Sequence, residues 1–148
     1  MDKQTLAEKS VQKMIGNDPF SRWLGIRVKE IKPGSVTLEM SVRPEMLNGF
    51  GVAHGGIAYS LADSALAFAA NTHGKVSLAL ENNISYIKKI TEKDLLTAKT
   101  EELSVGRTIG VYQITITRND EEKVAVFRGT VYRTENDHFP EETKKKEA

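Results

Sequence analysis

Residues 54–74 read HGGIAYSLADSALAFAANTHG, and the rest of the chain is read outward from them. From Ile57 onward, Ala58, Leu61, Ala62, Ala65, Leu66, Phe68, Ala69 and Ala70 put apolar side chains on nearly every face of a helix. A helix that is apolar all round is buried all round. Gly74 suits the left-handed position that closes such a helix, so the helix is placed over about 54–72. One residue breaks the pattern. Asp63 is its single acidic side chain, and an unpartnered carboxylate there would cost several kcal/mol or be neutralised by a raised pKa.

On both sides the apolar period changes to two, the period of strands. Downstream, segments 76–87, 95–105, 107–118 and 122–134 read as strands, with Asn119-Asp120 as a hairpin turn. Upstream, 26–44 reads as a hairpin turning at Pro33-Gly34. Before it, residues 3–16 form an amphipathic helix on Leu6, Val11, Met14 and Ile15, broken by Asp18-Pro19. Phe20, Trp23 and Leu24 follow as an apolar cluster. Residues 45–56, with four glycines, are too rich in glycine for regular structure, and the charged stretch 135–148 is expected to be a disordered tail. Strand runs flanking one buried helix predict an α+β fold, an antiparallel sheet with the helix across its concave face. Residues 1–148 are expected to form a single domain, with 1–17 as its N-terminal helix.

Composition narrows the function. The 148 residues are 39% apolar and 28% charged, as in an ordinary globular domain. Lys and Arg total 21 against 20 acidic residues, without the basic excess of a nucleic-acid binder. There is no cysteine, so thiol catalysis, Cys-held metals and disulfides are excluded. The polar start Met1-Asp2-Lys3-Gln4 lacks a signal peptide's apolar core, and no apolar run approaches the ~20 residues of a membrane span. A cytoplasmic protein is expected.

Several motifs fail on inspection. Gly49-Phe50-Gly51 begins like a dinucleotide fingerprint, but its third glycine is one position late and no βα unit precedes it. No Gly-x-Ser-x-Gly elbow exists. His54, His73 and His138 show no metal-ligand spacing, so no metal is expected. What survives is Asn48-Gly49-Phe50-Gly51-Val52-Ala53-His54-Gly55-Gly56 and, downstream, Asp63. The glycines let a ligand come close to the backbone, and the free N–H groups near Gly55 and Gly56 suit a developing oxyanion. Plainer alternatives stand beside this: a turn before a helix, a buried Asp bonded to backbone, and a packing role for His54.

The run Asn48-x5-His54-Gly55-Gly56-x6-Asp63, followed by Gly106-Arg107-Thr108 and Gly129-Thr130, resembles the hotdog-fold acyl-CoA thioesterases of the phenylacetic-acid-degradation (PaaI) type over residues 18 to 134. The resemblance implies that Gly55 N–H polarises the thioester carbonyl and that Asp63 acts as nucleophile or general base. Asn48 and His54 then orient the thioester and the loop. It implies hydrolysis of acyl-CoA, with phenylacetyl-CoA or a related aryl-CoA as the first substrate expected, and no cofactor. Some relatives carry a hydroxyl where this chain has Ala79. Lys88, Lys89, Lys93 and Arg107 are candidates for the coenzyme A phosphates. Gly56 belongs to the substrate loop, and Phe50, Tyr59, Trp23 and Leu47 are candidates for the acyl pocket. Two rivals are a hydroxyacyl-thioester dehydratase using His54 with Asp63 and a non-catalytic acyl-CoA-binding domain. The sensors of that second kind carry an added effector domain, for which the 25 residues before the first strand leave no room.

One expectation rests on geometry. Gly55 and Asp63 are eight residues apart, about 12 Å along a helix, whereas reacting groups must meet within ~3–3.5 Å. Two antiparallel helices related by a two-fold would bring Gly55 of one chain beside Asp63 of the other. A homodimer is therefore expected as the minimal active unit, assembled further into a homotetramer.

Overall fold

A computed structural model describes residues 1–142. Two helices open the chain, α1 (Lys3–Gly16) and α2 (Pro19–Trp23), followed by a hairpin of β1 (Arg27–Lys32) and β2 (Ser35–Ser41). A 3₁₀ turn, Pro44–Met46, leads through the glycine-rich stretch into α3 (Gly55–Asn71). Four strands follow: β3 (Lys75–Tyr86), β4 (Leu95–Val105), β5 (Ile109–Arg118) and β6 (Glu122–Asp137).

Each boundary has a local cause. Asp2 caps α1 by accepting the Thr5 N–H at 2.7 Å. Asp18 caps α2, with Pro19 in the first turn, where its missing N–H costs nothing. Gly74, at φ +87°, turns the chain out of α3 in a conformation that side-chain-bearing residues avoid. Asn119 and Asp120 both take positive φ, which the tight β5–β6 hairpin requires.

All six strands pair antiparallel in one sheet, ordered β1-β2-β4-β5-β6-β3. α3 lies across one face and touches every strand from β2 to β6. Its alanines let the backbone come close, while Leu61, Leu66 and Phe68 are fully buried against Leu38, Met40, Leu96, Ile114, Ile116 and Phe127 of the sheet. Burying each such side chain contributes roughly 1.5–3 kcal/mol. An antiparallel sheet wrapped around one long buried helix is the hotdog arrangement, as expected.

The N-terminal helix α1 covers α3 and β1 through Ala7 and Val11. The expected disordered tail is corrected in its first part: β6 runs three residues beyond 134 and the chain stays held past it. Asp137 pairs with Lys75 at 2.9 Å, and the His138 N–H reaches Gly74 O at 2.8 Å. The His138 ring meets Asn71 Oδ1 at 2.7 Å, and Lys13 donates to His138 O at 2.9 Å. A charged segment is ordered here because backbone pairing and ion pairs anchor it where apolar periodicity has ended. The remainder of that stretch, 143–148, lies outside the described residues.

Candidate active site

The loop entering α3 is organised by Asn48. Its Oδ1 accepts the N–H of Phe50 at 2.9 Å and of Val52 at 3.4 Å, closing an Asx-type turn. Asn48 N–H in turn reaches Val52 O at 2.7 Å. Phe50 stands at the tip, 92% exposed.

His54 is the N-cap of α3, with Nδ1 accepting the Gly56 N–H at 3.2 Å. That assigns the lone pair to Nδ1 and, in the neutral ring, the proton to Nε2. The Gly56 N–H is thereby used. The Gly55 N–H has no partner among the described residues, so it is the free donor at the start of the helix. Tyr86, at the end of β3, donates its hydroxyl to Gly55 O at 2.7 Å. A Cβ at Gly55 would sit 3.1 Å from that hydroxyl oxygen, so only glycine fits without displacing the ring.

A cleft of about 340 Å³ opens beside this turn, lined by His54, Gly55, Ala58, Tyr86, Lys88 and Lys89 among others. Lys88 is paired with Glu122, whereas Lys89 has no ion pair among the described residues. Arg107 is elsewhere. It stands 88% exposed on the β4–β5 turn, 3.7 Å from Glu135, in a separate cleft of about 410 Å³ with Lys75, Tyr132 and Arg133. β3 begins at Lys75 in that cleft and ends at Tyr86 in the first, a span on the order of 36 Å for twelve residues of strand. Within one chain Arg107 therefore does not join Lys88 and Lys89.

Asp63 lies two turns into α3, half-buried and outside the cleft lining. Its Oδ1 accepts from Asn82 Nδ2 at 3.2 Å, and the same nitrogen reaches the Tyr59 hydroxyl at 3.2 Å. Burial holds the Asp63 carboxyl above its ordinary range; the Asn82 bond pulls it back, and the nearby Asp18 carboxylate raises it further. Tyr59 packs edge-on against Phe127, at 5.4 Å and 72°, so it lies beside Asp63 and outside the Gly55 cleft. Trp23 stacks on Phe20 and carries Arg43 over its ring, also away from that cleft.

Asn82 and Tyr86, which bond Asp63 and Gly55, are two residues of this candidate site that the sequence reading does not single out. Their one signal is the even-numbered set Asn82, Ile84, Tyr86 on β3, and alternation alone does not tell which face meets the helix.

What the histidines do narrows the chemistry. His54 bonds the Gly56 backbone, His73 bonds Glu102 at 2.7 Å and His138 bonds Asn71, so among the described residues none is paired with a serine. With no cysteine in the chain, the Asp63 carboxylate and the bare helix start at Gly55 remain as the groups on this fold with the chemistry to act on a thioester. The chain belongs to the thioesterase superfamily, whose sequence model matches residues 50–125, and within it to the PaaI type. It is 38% identical to a putative esterase of Archaeoglobus fulgidus over 93% of this chain and 89% of that protein. It is 35% identical to the acyl-coenzyme A thioesterase PaaI of Escherichia coli K12, over 86% of this chain and 91% of that one. The E. coli PaaI structure superposes with a TM-score of 0.89, covering 92% of this chain and 99% of that one at 32% identity. A hypothetical thioesterase of Streptococcus pneumoniae TIGR4, solved with coenzyme A, matches with a TM-score of 0.71 at 28% identity, over 74% of this chain and 88% of that one. Among the described residues no helix is long and apolar enough to cross a membrane, and no group of three or more acidic, His or Cys side chains stands together as a metal site.

Proposed function

We propose that two copies of this chain form the working unit and hydrolyse acyl-CoA thioesters at sites shared between them. The observation that carries this is the separation of Gly55, in its cleft, from Asp63, eight residues and about 12 Å further along one helix. β3 offers the surface for pairing. It is an edge strand, so the backbone groups along its outer side have no strand beside them. A two-fold axis perpendicular to the sheet would pair two β3 strands antiparallel and lay the two α3 helices antiparallel as well.

The register follows from two contacts. Tyr86 marks the level of Gly55 on β3 and Asn82 marks the level of Asp63. Pairing centred near Ile84 sets residue 86 of one strand against residue 82 of the other, which brings Gly55 beside Asp63 of the partner subunit. The Gly55 N–H then polarises the thioester carbonyl, and the partner's Asp63 attacks it or takes a proton from the attacking water. The acyl–sulfur bond breaks and the sulfur leaves as CoA thiol; water releases the acyl group as free acid, either directly or, where Asp63 attacks first, by cleaving the acyl–Asp63 anhydride. Asn48 shapes the loop and His54 caps the helix. With its Nδ1 lone pair occupied, His54 is a poor base for the rival dehydration.

The coenzyme A assignment is supported by the E. coli thioesterase and by the streptococcal protein solved with coenzyme A. Lys88 and Lys89 rim the cleft, where they would meet phosphates, and Arg107 can join them only from the partner subunit. Phenylacetyl-CoA or a related aryl-CoA is the first substrate proposed, with Phe50 on the substrate loop, Gly56 in the first turn of α3 and Tyr59 near the acyl end. On the sheet's outer face Ile109, Tyr132 and Leu78 form an exposed apolar row across three strands, a surface on which two dimers would make a tetramer. The test is thiol release from a panel of aryl- and fatty-acyl-CoAs. Turnover with an aryl-CoA preference is expected, and coenzyme A binding without thiol release would mark a binding domain instead.

A further inference from the structure

The Asn82 amide lies between two groups on α3, with Nδ2 at 3.2 Å from Asp63 Oδ1 and 3.2 Å from the Tyr59 hydroxyl. Both amide hydrogens are thus committed. Its own Oδ1 is buried with no hydrogen-bond partner among the described residues, which is costly for an acceptor. Rotating the amide by half a turn would instead set Oδ1 against a carboxylate and replace attraction by repulsion. The carboxylate therefore fixes the orientation, even at the cost of leaving the amide oxygen without a partner among the described residues. Gly129, opposite Asn82 on β6, makes the reach possible: a Cβ there would lie 2.9 Å from Asn82 Oδ1 and 2.5 Å from a methyl carbon of Leu66. Asp63 Oδ2, by contrast, has no partner among the described residues.

We propose that Asn82, steadied by Tyr59, is the positioning residue that fixes which oxygen of Asp63 reacts: Oδ1 is tied to the amide and Oδ2 is left for the substrate or its water. The proposal rests on the reading of Asp63 as the reacting carboxylate. Tyr59 sits one turn before Asp63 on the same side of α3. Because its hydroxyl accepts from Asn82, its own proton is free to be donated elsewhere. As a donor to the ionised form, Asn82 also opposes the effect of burial on Asp63. The titratable groups that face Asp63 are Asp18 from the start of α2 and Tyr59 from its own helix, while β6 presents Phe127 and Gly129 behind Asn82.

The experiment is a kcat–pH profile of the full-length enzyme with a soluble acyl-CoA, run beside Asn82→Leu, Tyr59→Phe and Asp63→Asn. Asn82→Leu keeps the volume and removes the donor. Its kcat near neutral pH should fall about tenfold, as expected for a misplaced reacting group, with KM nearly unchanged. The acid limb should move to higher pH, because the ionised carboxylate has lost a stabilising donor. Tyr59→Phe keeps the ring on Phe127 and should move the limb in the same direction by less, so it decides the matter if Asn82→Leu does not fold. Profiles that superimpose on wild type for the folded variants overturn the proposal. An active Asp63→Asn enzyme overturns the underlying reading of Asp63 instead, so the two failures are distinct.

Discussion

Burial holds the Asp63 carboxyl above the usual carboxylate range, with Asp18 adding to the rise and Asn82 opposing it. In the folded chain the charged form is therefore disfavoured relative to the unfolded chain. The penalty is absent below the unfolded pKa, where both states are protonated. It grows as pH rises and is complete above the raised folded pKa. Asp63→Asn should accordingly raise Tm at pH 8 by roughly 2–5 °C, a gain that vanishes near pH 3. The same substitution should lower kcat by roughly 10²–10⁴-fold. Calorimetry at the two pH values and a thiol-release assay check both halves, and a variant that is destabilised and active would mark Asp63 as a structural acceptor. At Gly55 the Tyr86 hydroxyl secures the first turn of α3. Tyr86→Phe should reduce kcat about two- to tenfold, the value of one net hydrogen bond, without moving KM. Unchanged turnover would show that the bond does not set the donor's aim.

The strand β3 carries the assembly prediction. With pairing centred near Ile84, Asn83 of one strand lies opposite Ser85 of the other, and both side chains are exposed. Aspartates at both positions would set like charges across the two-fold, which is destabilising. Asn83→Asp with Ser85→Asp should therefore shift sedimentation velocity toward monomer, and Asn83→Asp with Ser85→Lys should restore association. The reverse order, or no effect, would reject this register. The elements themselves were largely legible in the sequence. α3 was found because it is apolar on every face, and the hairpin turn because Asn119-Asp120 tolerates positive φ. Two things were not legible. β6 outran its apolar pattern because Asp137 pairs with Lys75, the His138 N–H bonds the Gly74 carbonyl and the His138 ring bonds the Asn71 side chain. Asn82 and Tyr86 stayed hidden because a bulge between Ala79 and Glu81 resets which residues of β3 face the helix. Arg107 looked like a partner of Lys88 and Lys89 because sequence position does not show that β3 runs between their clefts.

In the whole molecule proposed here, neither copy contains a complete site. Two inactive chains should then repair one another. Asp63→Asn removes the carboxylate, and Gly55→Val sets a side chain against the Tyr86 hydroxyl and blocks the approach to the free N–H. When the two variants are unfolded, mixed in equal amounts and refolded together, about half of the dimers are heterodimers. In each heterodimer one site carries both lesions and the other carries neither. The decisive measurement is thiol release from the mixed, soluble oligomers, with mixing verified by differently tagged chains. A shared site predicts recovery of about a quarter of wild-type activity, whereas a site contained within one chain leaves a lesion in every site and gives none.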